Sequence, residues 1–425
     1  MTKRGSLKYP DEHLTSMHHI EHIEIIEELK QVDKEQWDLM NTQQQPFLSY
    51  AFLSGLEENG CVCEKTGWLP QHILIYSDSK KNKLIAAMPC YLKNHSYGEY
   101  IFDWSWADAY QRAGMHYYPK LSCATPFTPA TTPKWLIHPE HREVESETYL
   151  AAKLISILKN HAKSIQVSSI HALFTNKKAN ALFEQQNFIQ RSSSQFHWFN
   201  QTKDNNDDLR HKNQFFDTFE DYLQTMSSRK RKNIKRERKS VVEQGVRFQW
   251  YTGEKLDDNI ANIIFAFYLS TVYRYGAQQY LSKEFFHHFV KTIPNMTHVL
   301  IAYIDDSPVA GSLFFSSNST LYGRYWGANE DIKDLHFETC YYQPIEYAIQ
   351  HKLSSFEAGA QGEHKLSRGL LPVITTSQHW LADKKFHQAI LEFTEVEANN
   401  VKNYNSTLTQ HGPFKKPEEN IKTEV

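Results

Sequence analysis

Apolar and polar positions along the chain trace one pattern twice. In the first half, "HILIYSDSKKNKLIAAMPCYLK" (72–93) is an apolar run, a polar turn and a second apolar run. In the second half, "HVLIAYIDDSPVAGSLFFSS" (298–317) has the same order, with Asp305, Asp306, Ser307 and Pro308 as the turn. Each predicted hairpin is followed by helical periodicity and then a short buried-strand pattern. These are 144–163 and "SSIHALF" (168–174) in one half, 336–351 and "SSFEAG" (354–359) in the other. The echo predicts two copies of one α/β unit. Because a hairpin precedes each helix, in place of uninterrupted βαβ alternation, each sheet is expected to be mixed and mainly antiparallel, flanked by helices.

Between the copies, "NQTKDNNDDLRHKNQ" (200–214) is rich in Asn and Asp and lacks apolar periodicity, which marks a polar linker. "FIQRSSSQFHWF" before it reads as the last strand of the first unit. After it, Phe216, Phe219, Leu223 and Met226 fall at helical spacing and lead the second. The expected organisation is an N-terminal tail (1–19), a first unit (20–199), the linker, a second unit (215–400) and a charged, Pro-containing C-terminal tail (401–425). At 425 residues the chain is too long for one ordinary core, which agrees with two units of about 150–200 residues each.

Composition then narrows the function. A net charge of −2 gives no global attraction to nucleic acid or to an anionic membrane. The five cysteines are odd in number, and Cys61-x-Cys63 has no second pair at zinc spacing, so neither a disulfide framework nor a metal site is expected. The N-terminal stretch lacks the apolar core of a signal peptide, and the most apolar helical candidate, 260–272, is too short to cross a bilayer. A cytoplasmic protein without an integral membrane segment is expected.

Charge is concentrated locally instead. "SSRKRKNIKRERKS" (227–240) places eight Lys or Arg between Arg229 and Lys239, against the single acid Glu237. Nothing interrupts a helix before Gly245, and such a helix aligns Arg229, Lys232, Arg236 and Lys239 along one side. Either Asp217, Glu220 and Asp221 balance a solvated face, or the segment binds phosphates, of a nucleotide-linked donor or the acceptor end of an RNA such as tRNA. No DNA-reading motif accompanies it, so DNA is not an expected partner. A second concentration is aromatic: 98–131 holds Trp104, Trp106, Tyr110, Tyr117 and Tyr118 among Asp103, Asp108 and Lys120. That segment is either a core loop or a pocket wall, with Asp103 and Asp108 as acceptors for a substrate amine or hydroxyl. A third is "EAGAQGEHKLSRG" (357–369), whose glycines allow close backbone approach but whose spacing matches neither a P-loop nor a dinucleotide fingerprint.

Several of these motifs together resemble a known family. "FLSYAFLSGLEENGCV" (47–62), "FDWSWADAYQRAG" with "YYPKL" and "PFTP" (102–129), "SSRKRKNIKRERKSV" (227–241), and "HFETCYYQPIEYAI" with "FEAGAQGEHKLSRG" (336–369) are similar to the bacterial peptidoglycan biosynthesis/recognition family. That family is related to the FemAB aminoacyltransferases within the GNAT acyltransferase superfamily, and the resemblance spans roughly residues 20 to 395. It implies tandem GNAT-like units and transfer of an acyl or aminoacyl group to an amine, with a peptidoglycan precursor as acceptor. Lys365 occupies the place of a lysine that FemAB-like proteins carry near a strand end.

On that reading Glu363 and His364 are candidates for the base, and Lys365 and Arg368 for the oxyanion or phosphate contact. Arg229, Lys232 and Arg236 are candidates for the donor's phosphates. Asp103, Trp104, Asp108, Tyr110, Lys120, Arg324, Gln361 and Arg368 are candidates for holding substrate. The acetyl-CoA loop pattern R/Q-x-x-G-x-G/A has no clean copy before 144–163 or 336–351, which counts against acetyl-CoA and leaves aminoacyl-tRNA or another acyl donor, such as a different acyl-CoA, open. The alternative is a binding module without chemistry that recognises a cell-wall precursor or nucleotide-sugar.

Overall fold

The computed structural model describes residues 20–201, 215–359 and 362–415. The expected N-terminal tail, most of the expected linker, Gln361 and the last residues of the expected C-terminal tail lie outside the described residues.

The first half contributes β1 (His22–Ile26), β2 (Trp68–Pro70), β3 (His72–Tyr76), β4 (Leu84–Met88), β5 (Tyr91–Lys93), β6 (Lys120–Cys123), β7 (Leu136–Ile137), β8 (Ser169–Thr175) and β9 (Ile189–Phe199). The second contributes β10 (Arg247–Thr252), β11 (Thr297–Ile304), β12 (Ser307–Ser316), β13 (Thr320–Ala328), β14 (Ser355–Glu357) and β15 (Leu371–Leu381). Both predicted hairpins form: β3 pairs with β4 and β11 with β12, each antiparallel. The first is buried along its whole length. Helix Val144–Ser164 covers it with Leu150, Leu154, Ile155 and Leu158, which pack with Ile73, Ile75 and Ile85 in one core. Glu145 and Glu147 in the first turn of that helix and His161 and Lys163 in the last complement its dipole.

Each half also contains one parallel pair joined by a helical crossover. β6 pairs with β8 around Val144–Ser164, and β13 pairs with β14 around the helical segment 335–350. The second crossover contains a π-turn, Glu338–Tyr342, of the kind that re-aims side chains within a helix. The fold is thus mixed α/β with mainly antiparallel pairing, as the repeated pattern predicts.

β1, β3, β4 and β7 form a four-stranded sheet within the first half, but the other strands do not divide between the halves. Eleven strands form one sheet in the order β10-β11-β12-β13-β14-β9-β15-β8-β6-β5-β2. β9 lies between β14 and β15, and β15 lies between β9 and β8, all antiparallel. Each half has inserted its final strand beside the other's. A boundary at 200–214 therefore separates two stretches of sequence but not two sheets. The C-terminal boundary also moves, because helix Lys384–Gln410 runs through residue 401 and packs on β9 and β15. Its sequence hides it: only Ile390, Thr394 and Asn405 are fully buried, so it lacks a broad apolar stripe.

The basic segment is a helix, Ser228–Glu243, ended at Gly245 with φ +81°. A shorter helix, Phe219–Gln224, precedes it and starts with a Thr218–Asp221 capping box. Helix Asp258–Arg274 covers the candidate 260–272, and among the described residues no helix is long and apolar enough to cross a membrane.

Strand exchange ties the stability of one half to that of the other. Under hydrogen exchange at rising urea, peptides covering 150–158 and 341–349 are expected to lose protection at the same concentration. Two well-separated concentrations would show that the halves unfold independently.

Candidate active site

The ladder between β13 and β14 covers only Thr320–Tyr322 against Ser355–Glu357. Past it, β13 continues to Ala328 while the other chain turns away at Ala358 and Gly359. Between them opens a cleft of about 750 Å³. Its aromatic side comes from both halves, with Tyr97, Tyr100 and Trp104 facing Tyr325, Trp326 and Tyr341. Its hydroxyl-rich floor is Ser192, Ser193 and Ser194 of β9 and Ser377 of β15, the two exchanged strands. Its basic side is Arg324, His336, His364 and Lys365.

Lys365 is the most unusual of these. The short helical turn Glu363–Arg368 buries it to 4% exposure, and its Nζ donates to the main-chain oxygens of Ala358 at 2.7 Å and Gly359 at 2.9 Å. No carboxylate pairs with it among the described residues. Burial pushes its ammonium down to about 8. The neighbouring His364 ring is exposed on the cleft wall, with Nε2 2.8 Å from the Tyr341 hydroxyl. Partial desolvation, with Arg368 and Lys365 adding to it, lowers its pKa, so it faces the cleft as a neutral imidazole. His336 stands 5.9 Å from His364, ring to ring, and burial pushes it down to about 4.

The other predicted residues divide sharply. Glu363 is exposed and accepts from the Tyr404 hydroxyl at 2.6 Å, away from the cleft-lining residues. Arg368 is buried. Its guanidinium lies 3.3 Å over the Phe337 ring and pairs with Glu237 at 3.1 Å, so it anchors the basic helix through Glu237. Arg324 lines the cleft and donates to the Phe127 carbonyl. Arg229, Lys232 and Arg236 are exposed on their helix, and none of them lines the cleft. Arg238 of the same helix turns inward to Glu338 at 3.0 Å and Glu346 at 2.7 Å.

Of the predicted site residues in the aromatic segment, Trp104 lines the cleft, 5.0 Å from Tyr97. Asp103 and Lys120 are core residues instead. Lys120 Nζ lies 2.6 Å from Asp103, 2.7 Å from Glu99 and 2.8 Å from Ser96 Oγ. Burial opposes its charge, but the two carboxylates outweigh burial and push its pKa up to about 12. Tyr110 is buried and stacked on Phe386 at 4.0 Å, and Asp108 is exposed outside the cleft.

Residue-by-residue reading of the sequence passed over His336 and Tyr341, although both lie within the quoted "HFETCYYQPIEYAI". It also passed over Glu357, which ends β14 in a buried position with Thr131 N–H at 3.3 Å as its donor. Burial raises that carboxyl to about 8.

Two stability measurements follow from these placements. Lys120→Met strands two buried carboxylates, and urea unfolding should show a loss of about 3–5 kcal/mol; a substrate-binding role alone would leave stability unchanged. For Glu357 the folded state keeps a proton that the unfolded state sheds between pH 4.5 and about 8, so stability falls as pH rises through that window. Glu357→Gln should therefore raise Tm at pH 8 relative to the parent, and the difference should shrink towards pH 4.5. An equal difference at both pH values would contradict the assignment.

No curated protein sequence matches this chain. Its structure is similar to the C-terminal domain of a putative lysylphosphatidylglycerol synthetase from Agrobacterium fabrum, with TM-score 0.50 and 7% identity over 85% of this chain and 94% of that one. It is also similar to FemX, with TM-score 0.48 and 9% identity over 85% and 98%. A tandem GNAT protein from the clavulanic acid pathway gives TM-score 0.38 and 10% identity over 85% and 99%. At these identities the likeness concerns the fold alone. The family model described as peptidoglycan biosynthesis/recognition matches residues 28–416, through both halves and the exchanged strands, and the chain belongs to this FemAB-like family.

Proposed function

We propose that the cleft transfers an acyl or aminoacyl group to an amine, with a peptidoglycan precursor as the acceptor. The observation that carries this reading is Lys365, a buried ammonium on the wall of a large cleft, with no carboxylate partner among the described residues. An ammonium in that position stabilises negative charge that develops on a substrate, since the surroundings neither neutralise nor screen it.

Attack of an amine on a carbonyl carbon places that charge on the carbonyl oxygen. Lys365 serves as its electrostatic contact. Neutral His364, hydrogen-bonded to Tyr341, accepts a proton from the attacking nitrogen and releases it to the solvent it faces. Glu363, held by Tyr404, takes no part. The aromatic walls hold the apolar portions of the two substrates, and Arg324 meets an anionic one.

The donor is an acyl-CoA or an aminoacyl-tRNA, both of which carry phosphates that suit the exposed Arg229, Lys232 and Arg236, and both of which place the reaction in the cytoplasm. Changing these three to Ala should raise KM for a phosphate-bearing donor and flatten its salt dependence. Tm should stay unchanged, because exposed charges add little to folding.

The test is product formation. Acceptor amines incubated with the protein and each donor should gain the mass of the acyl group; tight binding without any mass shift would favour a binding module. Lys365→Met should lower turnover about 10²-fold or more without loss of stability, since burial already penalises the ammonium. The parent's rate should fall as pH rises through about 8, where Lys365 loses its charge, and that limb should vanish in the variant. A variant with the parent's rate and pH profile would remove Lys365 from the chemistry.

A further inference from the structure

The exchanged strand β15 and its neighbour β8 carry a chain of hydrogen bonds that leaves the cleft floor and enters the core. Ser377 Oγ, on the cleft wall, lies 2.7 Å from His379 Nε2. His379 Nδ1 lies 2.6 Å from His171 Nδ1, and both rings are buried. His171 Nε2 lies 2.8 Å from Ser169 Oγ and 3.3 Å from the Tyr117 hydroxyl. Ser169 Oγ is 3.1 Å from Ser168 Oγ, which is partly exposed.

The surroundings orient every proton in the chain. Asp103, held ionised by Lys120, accepts from the Tyr117 hydroxyl at 2.6 Å, so the Tyr117 oxygen presents a lone pair to His171. His171 therefore carries its proton on Nε2 and accepts at Nδ1. His379 must then donate from Nδ1 and accept at Nε2 from the Ser377 hydroxyl. At the far end Ser168 donates to the Tyr117 carbonyl and so accepts from Ser169. Every link points from the cleft towards the surface.

The structure assigns Ser377, His379, His171 and Ser169 to a buried proton relay between the cleft and the surface at Ser168. The assignment rests on the amine-acylation reading for its purpose. An amine acceptor near neutral pH is an ammonium, and two protons must leave its nitrogen while one joins the leaving group, the oxygen of an aminoacyl ester or the sulfur of a thioester. The relay removes the first. As Ser377 takes it, the Ser377 hydroxyl proton passes to His379 Nε2, the His379 Nδ1 proton to His171 Nδ1, the His171 Nε2 proton to Ser169 and the Ser169 proton to Ser168, whose own hydroxyl turns from the Tyr117 carbonyl and releases its proton to water. His364 takes the second. The reverse shift draws a proton inward to the leaving group and restores the starting tautomers, so each turnover releases one proton net.

Neither imidazole needs to become a cation in this concerted shift, which suits the site. The charged and titratable groups facing the pair are Asp103, Lys120, Tyr117 and Arg191, and Trp106 packs against His379 at 5.0 Å. Burial and then Lys120 push His171 down to about 3, and burial, His171 and Arg191 push His379 well down too.

Two readouts test the relay. In turnover, the parent should show a bowed dependence of rate on deuterium fraction, the mark of several protons moving together. Ser377→Ala should lower the rate about 10²-fold and make that dependence linear, while Ser377→Thr restores both. Without turnover, the downfield imidazole proton of the His171–His379 pair should exchange with water measurably faster in the parent than in Ser377→Ala or Ser169→Ala. Parental rate and bowing in Ser377→Ala, or an unchanged exchange rate in both alanine variants, would overturn the relay. A parent that acylates no amine would remove the functional reading, and the exchange rates alone would then decide whether the path conducts protons.

Discussion

Everything in this molecule depends on the reciprocal placement of β9 and β15. A strand beside its own unit's partner would give two closed sheets meeting at a surface. Interleaved, the two final strands instead make backbone hydrogen bonds that belong to both halves at once. The cost falls on polar side chains, because the middle of an eleven-stranded sheet is buried on both faces. Ser377, Gln378 and His379 of β15 and Gln195 and His197 of β9 are all buried. Of these, Ser377 lines the cleft and bonds to His379, which pairs with His171 of β8 beneath it.

Two buried lysines of the candidate segments are held in opposite ways. Lys120 has two carboxylates and a serine within hydrogen-bonding distance, so its charge is used up inside the fold. Lys365, on the cleft, donates among the described residues to two main-chain carbonyls, which orient the ammonium without neutralising it. Burying a charge on such terms is unfavourable for folding. A cleft that must stabilise a transient anion is a place where that expense has a use.

The repeated hairpin, crossover helix and strand were legible because their apolar periodicity comes from local burial: Ile73, Ile75 and Ile85 in one half and Val299, Ile301 and Leu313 in the other. The exchange was not legible. Strand β9 looks the same in sequence whichever neighbour it pairs with, and β15 hides its burial behind the polar Thr375, Ser377, Gln378 and His379, while the strands it pairs with, β9 and β8, are remote in sequence. At the site, Lys365 and His364 of the loop 357–369 line the cleft, while Glu363 and Arg368 on the same short turn point to Tyr404 and to Glu237. The aromatic segment divided in the same way, with Trp104 in the cleft and Asp103, Tyr110 and Lys120 in the core. Sequence shows which residues are close in the chain; the direction of each side chain is set by packing.

The central claim is that one cleft, built by both halves, brings a carbonyl to Lys365. The most direct measurement is a structure of the full chain with an acyl-donor analogue whose reactive ester or thioester is replaced by an amide. The account predicts its carbonyl oxygen at about 3 Å from Lys365 Nζ, with the acyl group between Tyr100 of the first half and Trp326 of the second. An analogue bound elsewhere on the protein, with the cleft empty and Lys365 still bonded only to Ala358 and Gly359, would contradict it.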